Sequence, residues 1–219
     1  MIIQNPEVKN LLDEFNLIVK RAENIAIFTR DIGLQKEEIE KLENFSEKAD
    51  KLKNTNKDKY SEDELNLVLC LLLSANALRL EISMIVCLKN NEMNFAWGHL
   101  VEAQTLVSVV ARNHPFSDGE YLNGFSSKLN LFEKLFFPRM MFASTGAIIK
   151  KTRCNICGLE YEECNHMKGR MYSGELCVRE IHEAELEEVS MVENPANKLC
   201  RQLQVEFDGK MVDTFTLVE

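Results

Sequence analysis

Residues 154–166 read CNICGLEYEECNH and contain four side chains that bind transition metals. Cys154 and Cys157 are separated by two residues, and the glycine that follows permits a tight turn in which both thiolates face one ion. Cys164 and His166 follow after six residues and lie two apart, so they can reach the same centre from a turn or a short strand. Three thiolates and one imidazole form a tetrahedral set that suits Zn²⁺. Because protein side chains fill all four positions, the pattern predicts a structural zinc site.

The chain has seven cysteines, and four of them lie outside this run. Cys177 is the alternative to His166 as fourth ligand, or else a packed thiol. Cys70 and Cys87 lie in apolar helical sequence, and Cys200 is expected in the core. The start of the chain lacks the pattern of a signal peptide. We therefore expect a cytoplasmic protein, where clustered cysteines bind metal more often than they form disulfides.

The first 136 residues have the apolar spacing of helices. Pro6 is placed to begin the first helix, and Gly33 is predicted to end it. Ser61 and Glu64 form a capping box at the start of the third helix. The pattern predicts five helices: the first runs from Pro6 to the stop at Gly33, and the others cover residues 34–53, 61–90, 92 or 93 to 112, and 121–137, with a break at 113–119.

The most apolar stretch, residues 65–88, is long enough to span a bilayer. Arg79 and Glu81 lie in its second half, where charges are costly in lipid. Its apolar residues occupy most sides of the helix. The stretch therefore predicts the buried central helix of a soluble bundle and no membrane segment.

The C-terminal third has the character of strands. Residues 140–149 and 184–192 have β-like composition, and Asp208-Gly209 is a hairpin signal between residues 202–207 and 211–218. The sequence therefore predicts an α+β protein, with a helical bundle over 1–138 and a small zinc-stabilised β module over 139–219. An acidic run that begins just before the second of these strands, at 184–192, contains Glu183, Glu185, Glu187 and Glu188. Strict alternation of side chains along a strand places Glu188 on the inward face together with Leu186.

Residues 186–197, LEEVSMVENPAN, resemble the closing motif of tailed-phage prohead (capsid maturation) proteases. The segment 142–146, FASTG, is similar to the Ser-x-Gly strand of that family. The segment 154–158, CNICG, here called the knuckle, and the turn 169–174, GRMYSG, resemble features found between these strands in some phage versions. The resemblance covers about sixty residues.

The resemblance implies Ser144 as the nucleophile and Glu188 as the acidic residue of a serine protease. The family's histidine lies on an earlier strand, whereas here the candidates are His99, within a helix, and His114, in a break. A serine without a base is not a nucleophile at neutral pH. The residues therefore favour a protease-like module without catalytic activity.

Charge bears on the remaining function classes. The chain has 26 basic and 35 acidic residues, a net charge of −9, which argues against a protein that coats nucleic acid. Near the segment 154–158, basic residues slightly outnumber acidic ones, so a nucleic-acid-binding zinc protein is a less favoured alternative. The basic residues are Lys150, Lys151, Arg153, Lys168 and Arg170, and the acidic ones are Glu160, Glu162 and Glu163.

The favoured hypothesis is a non-enzymatic, zinc-stabilised interaction or assembly protein that binds a protein partner or itself. A phage, prophage or bacterial defence context follows from the resemblance alone. The prohead-type serine protease using Ser144 is the enzymatic alternative.

Overall fold

The computed structural model describes residues 3–27, 29–55, 57–115 and 119–218. The predicted break at 113–119 therefore lies partly outside the described residues. Helices come first and strands follow, which confirms the α+β prediction. The helices are α1 (Pro6–Ala26), α2 (Ile32–Asn54), α3 (Glu62–Lys89), α4 (Met93–Asn113) and α5 (Glu120–Phe136). The strands are β1 (Phe142–Cys154), β2 (Met171–Tyr172), β3 (Glu175–Leu176), β4 (Arg179–Val192), β5 (Gln204–Phe207) and β6 (Lys210–Asp213).

Contacts between Cα atoms divide the chain into two compact units. One unit, here called the helical unit, comprises Met1–Leu131 and His166–Cys177. The other, the strand unit, comprises Phe132–Asn165 and Val178–Glu219. The short β2–β3 hairpin thus belongs with the helices by its contacts. The proposed domain boundary between residues 138 and 139 stays a prediction.

The ends of α1 and α2 are set by local capping. Asn5 caps α1 by accepting a hydrogen bond from the Glu7 N–H, and Pro6 takes the first helical position. Asp31 caps α2, and its carboxylate accepts the N–H of Gly33 at 2.7 Å. The prediction that Gly33 ends the first helix is wrong. The aspartate cap begins a new helix before this glycine, which lies in the first turn of α2.

Helix α3 is the central helix of the helical unit, as predicted. It packs against α1, α2 and α4, and its capping box between Ser61 and Glu64 is complete. Within the described ranges, α3 is the one helix long and apolar enough to cross a membrane, and 67% of its most apolar window is buried. The Glu81 side chain is fully buried and forms an ion pair with Lys128 at 2.8 Å. Helix α3 therefore has the burial of a core helix.

The β2–β3 hairpin packs on the helices through apolar side chains. Met171 joins a buried cluster with Leu69, Cys70 and Val110, and Leu176 packs at its edge. This cluster places the chain that follows His166 firmly within the helical unit.

Strands β1 and β4 form a long antiparallel ribbon in the strand unit. Both are longer than the predicted strands at 140–149 and 184–192. The register shifts at three places, and the first shift leaves Glu187 without a cross-strand partner, because Gly146 pairs with Glu188 and the next residue with Leu186. The prediction that Glu188 points inward with Leu186 is wrong. This bulge puts the two side chains on opposite faces, and Glu188 is exposed.

The predicted C-terminal hairpin is confirmed as β5–β6. Asp208 and Gly209 form its two-residue turn with φ angles of 51° and 77°. Both values lie in the left-handed region that a type I′ turn requires. The hairpin is therefore set by local turn chemistry.

Candidate metal centre

The four predicted ligands converge in space. One ligand atom each from Cys154, Cys157, Cys164 and His166 lies within 4.8 Å of the other three. A tetrahedral zinc site with bonds of about 2.3 Å has ligand–ligand edges of about 3.8 Å, so the observed spread is close to that of a metal centre. The structure therefore brings together a Cys₃His set that can hold one metal ion.

A tight turn after β1 brings the first two thiols together. The Gly158 N–H donates to the Cys154 carbonyl at 2.8 Å, and the Cys154 N–H donates to the Leu159 carbonyl at 3.0 Å. Gly158 has a φ of 71°, which a residue with a Cβ rarely adopts. The glycine after the second cysteine thus permits the chain reversal that the sequence pattern predicted.

The aromatic ring of Tyr172 orients the histidine. The rings of His166 and Tyr172 meet edge to face with centroids 4.6 Å apart. The Tyr172 hydroxyl accepts the backbone N–H of Met167 at 2.9 Å. Since Tyr172 lies in β2, this hairpin positions the imidazole.

The electrostatics around Cys154 favour a thiolate. Burial acts to raise the pKa of the Cys154 thiol, but the backbone N–H groups of Cys157 and Ile156 and the thiols of Cys164 and Cys157 lower this pKa to about 6. A thiolate is the form that binds metal. Cys154 is fully buried, whereas Cys157 is exposed, so one side of the centre faces solvent.

Arg179 supports the turn from the neighbouring strand, a role that the sequence pattern did not predict. Its guanidinium donates to the Glu162 carboxylate at 2.7 Å and to the Thr152 hydroxyl at 3.0 Å, and lies 5.2 Å from the Tyr161 ring centre. Arg179 pairs with Cys154 in the ribbon register. Only this long-range pairing identifies it, because it is 25 residues away along the chain.

The remaining cysteines lie outside the converging set. Cys177 is fully buried, and its backbone N–H donates to the Arg170 carbonyl at 2.8 Å. Cys200 is exposed, so the expectation that it lies in the core is wrong. Cys70 is buried and Cys87 is half-buried. All seven cysteines fall within the described ranges, and none of them forms a disulfide there.

Two of the three residues of the serine protease alternative lie on one face of the β1–β4 ribbon. Ser144 pairs with Ser190 in the ribbon, and Glu188 lies on the same face, because a Cβ on Gly146 would be 2.8 Å from the Glu188 Cγ. His114 belongs to the helical unit and lines a cavity there. The catalytic role of these residues stays a prediction.

Salt bridges take up part of the cationic surplus beside the knuckle. Lys150 forms an ion pair with Glu185 at 2.7 Å, and Lys151 lies 3.8 Å from Glu160. Paired cations offer less to phosphate groups than free ones do. The nucleic-acid alternative stays a prediction.

No protein family, curated protein or solved structure matches this chain. The function proposed below therefore rests on the geometry of the chain itself.

Proposed function

We propose that this chain is a non-enzymatic interaction protein that holds a structural Zn²⁺ and forms a dimer through one face of the β1–β4 ribbon. The observation that carries this proposal is an exposed, uncharged sheet face. This ribbon face consists of Ala143, Thr145, Ala147 and Ile149 on β1 and Ala184, Leu186, Val189 and Met191 on β4. These eight residues are paired across the strands and share one side of the pleat.

The large side chains of the ribbon face are open to solvent. Leu186 is 63% exposed, Val189 61%, Met191 52% and Ile149 39%. The opposite side of the ribbon carries charged or small residues at most positions, such as Glu188 beside Gly146. A contiguous uncharged face with several exposed apolar side chains is typical of an interaction surface.

A bound metal would stabilise one end of this ribbon. A two-stranded sheet is marginally stable by itself in water. Here β1 ends at the ligand Cys154, which pairs with the first residue of β4, Arg179. A Zn²⁺ bound here would fix the end of β1 against which β4 begins, and it would have no reactive role because no coordination position remains for water.

A second copy of this chain is the partner that fits the charges best. Strand β1 carries Lys150, Lys151 and Arg153 with no acidic residue, whereas β4 carries Arg179 and five glutamates: Glu180, Glu183, Glu185, Glu187 and Glu188. Lys150 pairs with Glu185 and Lys151 lies near Glu160 within one chain, so the attraction between copies rests on Arg153 and the other four glutamates. Two ribbon faces can pack with β1 of one copy over β4 of the other. That arrangement brings the basic strand near the acidic one on both sides of the dimer.

The size of the ribbon face sets the expected affinity. Its seven-residue length on β1 corresponds to about 23 Å, and two strands span about 10 Å. This footprint, about 230 Å² per copy, is well below that of stable protein interfaces. We therefore expect a reversible dimer that dissociates on dilution and weakens as salt is added.

Sedimentation velocity over a range of concentrations tests the dimer. The wild-type chain should show a concentration-dependent dimer, and Leu186→Glu should be monomeric at every concentration because it places a charge in the apolar contact. Ile148→Glu is the matched control, since Ile148 is 48% exposed but lies on the opposite side of the ribbon. A wild-type monomer throughout, or equal effects of both variants, would contradict the proposal.

Native mass spectrometry tests the metal. The chain purified without chelator should carry one zinc, and Cys157→Ser should lose it. Cys200→Ser, which changes an exposed thiol outside the converging set, should keep the metal. A metal-free wild-type chain would remove the zinc from this proposal, while the dimer test stands independently of it.

The phage, prophage or defence context is proposed on the resemblance of residues 186–197 to prohead proteases alone.

A further inference from the structure

The helical unit contains an apolar cavity that the proposed dimer does not use. Its volume is about 200 Å³. Side chains from α1, α3, α4 and α5 line it. Engineered apolar cavities of about 150 Å³ stay dry and bind benzene or xenon, so this volume suffices for a ligand of that size.

The floor of the cavity is apolar and buried. Leu71 and Leu78 of α3, Val107 and Val110 of α4, and Phe125 of α5 all line it and are each less than 9% exposed. Cys70 also lies here, where burial raises the pKa of its thiol to about 12. The floor therefore presents no charge to an occupant.

Four polar side chains line the more exposed part of the cavity. Asn16 and Tyr121 are exposed, and Ser74 and His114 are half-buried. Among the residues that the structure describes, the lining contains no lysine, arginine, aspartate or glutamate. A fully charged ligand would lose its hydration without gaining an ion pair, whereas a neutral ligand with one polar group could leave that group at the rim.

We infer that this cavity is a binding site for a small neutral molecule with an aromatic or compact aliphatic body and a single hydrogen-bonding group. The apolar body would occupy the floor between α3, α4 and α5. The polar group would lie at the rim near Ser74 and His114. This inference is independent of the metal and of the ribbon face.

Calorimetric titration with benzene and with phenol tests the site. Both should bind the wild-type full-length chain saturably with one site, and phenol should bind more tightly because its hydroxyl can use the rim. His114→Leu should remove the advantage of phenol and leave benzene binding unchanged. Val107→Phe should weaken both by about tenfold or more, because the added ring fills the cavity.

A pair of alanine variants keeps the test valid if Val107→Phe fails to fold. Leu71→Ala enlarges the cavity and should admit naphthalene, whereas Leu80→Ala removes a buried side chain of α3 that does not line it. Leu80→Ala should lose stability without gaining naphthalene binding. No saturable binding of benzene or phenol to the wild-type chain, or naphthalene binding equal in the two alanine variants, would overturn the inference.

Discussion

At the scale of single residues, Glu64 joins two helices through backbone hydrogen bonds. Its carboxylate accepts the N–H groups of Asn5 at 2.8 Å and Gln4 at 3.0 Å ahead of α1, and that of Ser61 at 3.1 Å at the start of α3. Burial acts to raise the pKa of Glu64, but the N–H groups of Asn5 and Ser61, the Ser61 hydroxyl and the Gln4 N–H hold this pKa below its ordinary value.

We predict that Glu64→Gln lowers the free energy of unfolding by about 1–3 kcal/mol at pH 7, because hydrogen bonds to a charged acceptor are lost. The folded pKa is depressed, so this stability is present above the unfolded pKa near 4.3 and is lost as pH falls through the folded pKa. Urea denaturation at pH 7 and pH 3 should show the difference closing in acid. Glu62→Gln, at an exposed first-turn position, is the control and should change little.

A second residue-scale prediction concerns the buried pair of Glu81 and Lys128. Burial raises the pKa of Glu81, and the charge and hydrogen bond of Lys128 act to lower it. Lys128→Met leaves the carboxylate buried and unpaired, which should cost about 3 kcal/mol at pH 7. Because the folded pKa of Glu81 is raised, stability is lost as pH rises through it, so the variant should regain stability between pH 7 and pH 5.

The control for this pair is Lys134→Met, an exposed position on α5. Chemical denaturation should find Lys134→Met close to wild type. The double variant Glu81→Gln/Lys128→Met should recover part of the loss, since an amide is cheaper to bury than a carboxylate. A Lys128→Met variant as stable as wild type at pH 7 would show that the pair contributes nothing.

At the scale of elements, two asparagines hold the β2–β3 hairpin. Asn66 of α3 donates to the Met171 carbonyl at 3.3 Å and accepts the Gly174 N–H at 2.8 Å. Asn113 of α4 donates to the Gly169 carbonyl at 2.8 Å and accepts the Met171 N–H at 3.2 Å. Both side chains therefore form hydrogen bonds with backbone N–H and C=O groups of a hairpin whose two-residue strands offer few cross-strand hydrogen bonds.

We predict that Asn66→Ala and Asn113→Ala each destabilise the hairpin by about 1–2 kcal/mol, because a polar backbone group loses its partner. Hydrogen exchange should report faster exchange at the N–H groups of Met171 for Asn113→Ala and of Gly174 for Asn66→Ala. Asn130→Ala, an exposed position on α5, should leave both amides unchanged. Equal protection in all three variants would refute the role assigned to the asparagines.

At the scale of the whole molecule, metal removal should affect the two units unequally. The strand unit contains three of the four ligands and an exposed ribbon, whereas the helical unit has an extensive apolar core. Chelation should remove hydrogen-exchange protection from β1 and β4 and leave that of α3 unchanged. Lowering the pH should have the same effect in the metal-bound chain, because protonated thiols release the ion. Retained protection of β1 after chelation would show that the metal has no structural role.

Much of the fold followed from local patterns. The five helices and the capping box at Ser61 are predictable, because apolar periodicity and caps act within a few residues. The turn at Asp208-Gly209 is predictable for the same reason. The converging metal ligands span only thirteen residues, so their spacing alone indicates a shared centre.

Other features were not predictable because they depend on partners far away in the chain. The bulge at Glu187 reversed the expected face of Glu188, since register is a property of two strands and not of one. The position of Gly33 has a local cause instead, since the Asp31 cap two residues earlier begins a helix that includes this glycine. Arg179 was missed because only the ribbon brings it to the turn beside Cys154.

The sequence by itself determined the order of elements, the central helix α3 and the ligand set of the candidate metal centre, because each depends on neighbours along the chain. The tertiary structure alone decided which unit holds the β2–β3 hairpin, which ribbon face stays uncharged and exposed, and where the helices leave an apolar cavity. Those outcomes depend on packing between distant segments, and packing is specified by shape and register rather than by any local pattern.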